Sequence, residues 1–143
     1  KTWISPANYP LIAIRMEDVK DKYAADGCTS RNINLDAAGT DLASGTKFSG
    51  NFGGGNNRYA HDIKCSDGSH VFIYDFATQN FPNGGVLAAN NITEFTTFQF
   101  KYADMRTLSN QVTYNVYWIQ TFKTMDDIKA YLDSENLTYE QIK

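Results

Sequence analysis

The stretch "GNFGGGNNRYAHD" (residues 50–62) gathers Asn51, Phe52, Asn56, Asn57, Arg58, Tyr59, His61 and Asp62 into one short run. Flat aromatic rings stack on the C–H faces of sugars, while amide, carboxylate and guanidinium groups hold sugar hydroxyls. That mixture is the chemistry of carbohydrate recognition. A second turn cluster, "QNFPNGG" (79–85), adds Phe81 and Asn83, an aromatic and an amide of the same character. The expected ligand-binding residues are therefore Phe52, Asn57, Arg58, Tyr59, Asp62, Phe81 and Asn83, joined by Tyr117 from a later strand. Gly and Asn also serve plain turn geometry in surface loops, and that reading stands beside the first.

Catalytic patterns are missing. The chain carries neither a G-x-S-x-G nor an H-E-x-x-H motif, the arrangements that expose a nucleophile or seat a catalytic zinc. Glycoside hydrolysis needs two carboxylates roughly 5–10 Å apart, but with 16 acids some pair will always be close. Asp75, inside an apolar strand, is the one acid in a suggestive place, and a strand acid is more often a hydrogen-bonded structural group or a turn-facing residue. No catalytic residue is expected, and the chain reads as a non-enzyme. Cys28 and Cys65 form no C-x-x-C pair and only His61 and His70 accompany them, so the spacing spells no zinc site. Asp26, Asp36, Asp41, Asp62 and Asp67 lie in or beside loops, where a structural calcium is compatible with the oxygen chemistry. No D-x-D-x-D-G run supports it, and no cofactor is expected. Two cysteines leave open both a disulfide and two separate thiols.

Composition narrows the class. At 143 residues the chain suits one domain over 1–143 and can bury roughly 70% of its unfolded surface. Nine Tyr and nine Phe raise the aromatic share to 14%, which suits pleated sheet, where rings pack against cross-strand neighbours. Thirteen basic and 16 acidic residues give a net charge of −3 and are scattered; nucleic-acid binding leaves a basic footprint, so no nucleic-acid partner is expected. No apolar run approaches the roughly 18 residues of a membrane helix. The chain opens at Lys1 without a signal peptide and reads as a module of a longer exported protein.

The elements that must position these residues are mostly strands. "YPLIAIRMEDV" (9–19) is apolar on both faces, and "RNINLD" (31–36) is a short candidate with Ile33 and Leu35 together. Residues 37–57 hold six of the ten glycines and read as loop, with one short strand near Lys47 and Phe48. "RYAHDIKC" and "HVFIYDF" flank Asp67-Gly68, a tight hairpin turn; Val71, Ile73 and Asp75 face one way, His70, Phe72, Tyr74 and Phe76 the other. "ITEFTTFQFKYADM" (92–105) alternates cleanly, with Phe98, Phe100 and Tyr102 on one face, and "VTYNVYWIQTF" (112–122) closes the strand-rich part. Trp118 and Phe122 are expected in the core, while Tyr117, on the opposite face, is undecided. The period then becomes helical: Thr124 caps with Asp127, Ile128, Tyr131 and Leu132 form a stripe, and a second short helix is expected from Thr138. Seven or eight short strands followed by a helical segment at 124–142 predict a mainly β antiparallel sandwich with a short C-terminal helix.

The pattern "YPLIAIRM … HVFIYDF … FTTFQFKYADM … YNVYWIQTFKTMDDIKAYL" resembles a Bacteroidetes-type domain of formerly unknown function from exported, often lipid-anchored proteins of glycan-utilisation systems. The shared positions include Phe72, Ile73, Tyr74 and Asp75 in the middle strand, and Tyr114, Val116, Tyr117, Trp118, Thr121, Phe122, Lys123 and Thr124 at the close. The resemblance covers 9–132 and implies a jelly-roll or galactose-binding-like sandwich. It further implies a non-catalytic carbohydrate-binding module, at the outer-membrane surface or in the periplasm, whose partners are a polysaccharide or oligosaccharide and the neighbouring domains of its own chain. The alternative is a protein-interaction or spacer domain of a surface lipoprotein with no ligand of its own.

Overall fold

Alternating strands such as Ile33–Asp41, with burial on every second residue, and continuously apolar strands such as Leu11–Glu17 and Ser69–Asp75 build antiparallel sheets, and a change of period adds a helical layer. The computed structural model describes residues 2–53, 55, 57–87, 92–102 and 112–143. Asn56 and positions 103–105 of the long predicted strand lie outside them. In chain order the elements are β1 (Thr2–Ile4), β2 (Leu11–Glu17), the short helix α1 (Val19–Lys22) with a 3-10 turn at Ala24–Asp26, β3 (Ile33–Asp41) and β4 (Lys47–Asn51). There follow β5 (His61–Cys65), β6 (Ser69–Asp75), β7 (Asn80–Phe81), β8 (Gly85–Val86), β9 (Thr93–Tyr102), β10 (Val116–Phe122), α2 (Met125–Ser134) and β11 (Tyr139–Gln141).

Beside a two-stranded ribbon of β7 and β8, one sheet runs β1-β9-β3-β4 and another β10-β2-β6-β5-β11, with antiparallel pairing throughout. They pack as the expected sandwich. Ile12, Ile14 and Met16 of β2, with Phe72 and Tyr74 of β6, meet Ile33, Leu35, Phe48 and Phe95 of the facing sheet. The reverse side of β2 and β6 is covered as well: Leu11, Ala13, Val71 and Ile73 pack under Ile128 and Leu132 of α2. Three layers result, and the central strands β2 and β6 of the middle sheet are buried on both faces. That is why "LIAIRM" and "HVFIY" are apolar on successive residues rather than on alternate ones.

The hairpin stands where the sequence puts it, with Gly68 at φ 84° and β5 pairing β6 from His61↔Ile73 to Lys64↔His70. The cap of α2 also forms as read: Thr124 Oγ1 accepts from the Asp127 N–H at 3.1 Å and Asp127 Oδ2 accepts from the Thr124 N–H at 3.0 Å.

Three expectations are corrected. Residues 37–41 are strand, not loop, because β3 continues with Ala37 buried and pairs β4 from Asp36↔Asn51 to Thr40↔Lys47. Gly39 is there for room: a Cβ would stand 1.9 Å from the Glu94 carbonyl oxygen and 2.6 Å from the Phe48 ring. Beside it the β3–β9 register slips between Ala38 and Gly39, a bulge that brings Phe95 and Phe98 into edge-to-face contact at 5.6 Å. Residues 139–141 are strand, not helix. Pairing Tyr139↔Cys65, Glu140↔Lys64 and Gln141↔Ile63 satisfies the otherwise open edge of β5, which a separate helical turn could not do. The polar segment after β2 is not all loop, since Asp18 caps α1 by accepting from the Lys20 N–H at 3.1 Å. Cys28 and Cys65 are free and buried in different layers of core.

Candidate functional site

The Gly/Asn loop folds inward rather than outward. The Phe52 N–H donates to the Leu35 carbonyl at 2.7 Å, and its ring packs 4.9 Å from both Phe76 and Phe81. Phe52, Tyr59 and Phe81 are therefore buried core residues, and their expected role as stacking platforms is corrected. Burying large rings between two sheets is worth more than presenting them to water. The glycines serve turn geometry, as at Gly53 with φ 76°, where a Cβ would meet Arg58 Cβ at 2.9 Å. Asn57, at φ 56°, brackets the start of β3: its Oδ1 accepts from the Ile33 N–H at 2.9 Å and its own N–H donates to the Ile33 carbonyl at 2.8 Å. Its amide is a structural clamp.

Asp62 is 1% exposed and also points inward. Arg58 and Asn83 are exposed, the latter bridging Ser49 on β4. Tyr117 is 45% exposed, and the Arg15 guanidinium lies 4.3 Å from its ring centre. β4 and β10 are edges of different sheets, so the sheet order sets Asn83 and Tyr117 apart. The eight expected residues do not converge on one surface. Phe122 is buried and Trp118 half-buried, its ring 5.8 Å from Phe122 and 5.4 Å from Tyr131 of α2. Asp75 closes a turn, accepting from the Ala77 N–H at 2.7 Å and the Thr78 hydroxyl at 3.0 Å.

Two buried charged clusters were not legible as units. In the first, Arg15 donates to Ser69 Oγ at 3.0 Å, Asp67 Oδ2 at 2.6 Å and Glu135 Oε1 at 3.2 Å. Trp118 Nε1 donates to the other Glu135 oxygen at 3.2 Å. The cluster pins the end of α2 to the β5–β6 turn. Desolvation pushes the Asp67 carboxyl upward, but the bonds from Ser69 and Arg15 outweigh it and hold its pKa below the ordinary value.

The second cluster sits at one end of the sandwich interior. His70 Nδ1 lies 2.7 Å from Asp62 Oδ1, and Arg31 donates to Asp18 Oδ2 at 2.7 Å and to Asp62 Oδ2 at 3.1 Å. The His70 ring is stacked on Phe72 with 5.5 Å between centres, and the Tyr59 ring packs against Phe72 at 4.9 Å. Burial opposes the Arg31 charge, yet the bond to Asp18, then Tyr59 and nearby Asp62, hold its pKa above the usual value. Of the expected site residues, Tyr59 and Asp62 meet here. The remaining members come from α1, the β3 approach and β6, and the one sequence signal was His70 on the same face as Phe72, Tyr74 and Phe76. The loop acids weighed for calcium are dispersed: Asp41 closes its own turn on Ala43 and Ser44, Asp36 pairs with Lys101 and Asp67 with Arg15.

The concave surface lies elsewhere. Where the edge strands β1 and β10 face each other, the sandwich opens into a cleft of about 480 Å³ lined by Ile4, Ile12, Phe98, Ile119, Gln120 and Thr121. Phe98 is 38% and Ile119 47% exposed. Sequence alternation placed Phe98 on a strand face but could not show that its sheet ends one strand away. A second hollow, of about 620 Å³, lies beside β3 and β4 with Thr40, Lys47, Ser49, Asn83 and Thr96 among its walls.

Residues 1–128 match the model of a family described as Domain of unknown function (DUF4979). No curated protein and no solved structure matches the chain.

Proposed function

The chain belongs to the DUF4979 family, and from that premise we propose that it is a non-catalytic carbohydrate-binding module of a bacterial surface glycan-utilisation protein, exported to the outer-membrane surface or the periplasm. The observation that carries this reading is the open-edge cleft between β1–β9 and β10–β2. The exposed Phe98 ring offers a flat face to the C–H surface of a sugar ring, Ile119 extends the apolar floor, and Thr121 offers a hydroxyl to its polar edge. Concave, mostly apolar sites with a few polar groups are where ligands gather. Among the described residues lining the cleft are Gln120 and Thr121, whose amide and hydroxyl are the groups that hold sugar hydroxyls. The resemblance of the strand motifs to glycan-utilisation domains supports the same reading. No helix among the described residues is long and apolar enough to cross a membrane.

Affinity electrophoresis against plant, algal, fungal and host polysaccharides tests this. Retardation by one polysaccharide is expected, with a Kd in the micromolar to millimolar range, since few contacts offset the cost of ordering a sugar chain. The double change Phe98→Ala with Ile119→Ala is expected to weaken binding at least tenfold, while Arg58→Ala and Asn83→Ala leave it unchanged. An unshifted wild-type band across the panel removes the reading.

A second reading rests on β10 itself. Val116, Tyr117 and Ile119 are exposed at 43–47% on an edge strand, a surface suited to a neighbouring domain of the same chain. A polysaccharide-silent protein whose Ile119→Asp form loses contact with an adjoining domain supports that spacer role.

A further inference from the structure

We propose that Asp18, Asp21 and His70 form a binding site for a first-row divalent cation such as Zn²⁺, independent of any glycan site. The ring nitrogen His70 Nε2 is buried, on a side chain 1% exposed, and has no hydrogen-bond partner. It points at two carboxylate oxygens, Asp18 Oδ2 and Asp21 Oδ2, each 3.8 Å away. That separation is too long for an N–H···O bond, so a proton on Nε2 would be shut in without an acceptor. It is the right order of distance for two ligands of one ion.

The three atoms lie within 4.8 Å of one another. In a triangle with sides of 3.8, 3.8 and at most 4.8 Å, the point equidistant from all three is no more than about 2.5 Å from each. Zinc bonds to imidazole nitrogen and carboxylate oxygen at roughly 2.0–2.2 Å, so the ligands need to close by a few tenths of an ångström. Asp21 can supply that movement, being half-exposed on the short helix α1. An imidazole beside carboxylates favours a first-row transition ion over calcium, which takes oxygen ligands.

The groups behind the ligands point the same way. His70 Nδ1 lies 2.7 Å from Asp62 Oδ1, the carboxylate–histidine pairing that leaves Nε2 as the metal-facing lone pair. Asp62 is held in turn by Arg31 at 3.1 Å, and stacking on Phe72 fixes the ring plane. Against the three carboxylates of Asp18, Asp21 and Asp62 stand two cations, the half-buried guanidinium of Arg31, paired with Asp18 and Asp62, and the exposed ammonium of Lys64, 3.5 Å from Asp21. Negative charge therefore remains for a cation to neutralise. No sequence motif announces the set, because α1 and β6 are brought together only by the fold. A bound ion would tie α1 to the end of the middle sheet.

The test uses the whole chain, stripped with a chelator and titrated calorimetrically with ZnCl₂, then with CaCl₂. Long-range ¹H–¹⁵N spectra of the histidine rings are recorded in parallel. One Zn²⁺ per chain is expected, with the His70 Nε2 resonance displaced, the Nδ1 proton retained, and His61 unmoved. Asp21→Asn, an exposed change, is expected to weaken Zn²⁺ at least tenfold while the thermal midpoint of the metal-free protein stays where it was. The proposal is overturned by the absence of stoichiometric Zn²⁺ binding, by binding that leaves His70 unmoved, by a preference for Ca²⁺, or by an Asp21→Asn protein that binds as tightly as before.

Discussion

Arg15 is a buried charge in the central strand β2, and its surroundings show what burying a charge demands. Its side chain is 8% exposed, and Ser69, Asp67 and Glu135 take its donors while the Tyr117 ring covers its flat face. Full satisfaction of this kind is what makes a buried guanidinium tolerable. Asp67, the more exposed partner, carries a pH signature. Its folded pKa is held below the unfolded value, against the opposing effect of desolvation, by Ser69 and Arg15. A depressed carboxyl contributes stability that is present above the unfolded value of about 4 and is lost as pH falls through the folded one. Asp67→Asn is accordingly expected to lower the urea midpoint at pH 7, with a narrower gap to wild type at pH 3. A gap of unchanged size at the two pH values would show that the charge contributes nothing.

At the scale of elements, spacing served best where local geometry decides. The Asp67-Gly68 turn and the Thr124–Asp127 cap each involve neighbours a few residues apart, and both form as read. It served worst where an element depends on a distant partner. Residues 37–41 look like loop because Ala, Gly and Asp have little strand character of their own. They become strand because β4 and β9 pair with them on both sides. Gly39, a loop signal by type, is instead the residue that lets β9 approach. Gly39→Ala is expected to cost about 3 kcal/mol or more, by overpacking against a backbone carbonyl that cannot swing away. Chemical denaturation measures it, and a loss below about 1 kcal/mol would mean that the bulge relaxes. The strand β11 makes the same point, since its helix-like cap signature lost to an unpaired sheet edge.

At the scale of the whole molecule, the middle sheet makes the two cores interdependent. Leu132 and Ile128 close the side of the sheet that Leu11, Ala13, Val71 and Ile73 present. Leu132→Ala is expected to cost about 2–5 kcal/mol and to lower a single cooperative transition, followed by urea unfolding with fluorescence and circular dichroism together. Separate transitions by the two probes would mean that α2 and the sandwich unfold apart. The sequence by itself determined the class of this protein: alternation and turn residues are local, and they specify antiparallel strands and one capped helix without reference to anything far away. Tertiary structure alone decided which aromatics are available. Phe52, Tyr59 and Phe81 have the types of a binding loop but fill the space between two sheets, whereas Phe98 and Ile119 have the types of core and stand at an open edge. It likewise decided that Asp18, Asp21 and His70 meet, from positions more than forty residues apart between α1 and β6. Burial and convergence are properties of what packs against a residue, and the packing partner here comes from another part of the chain.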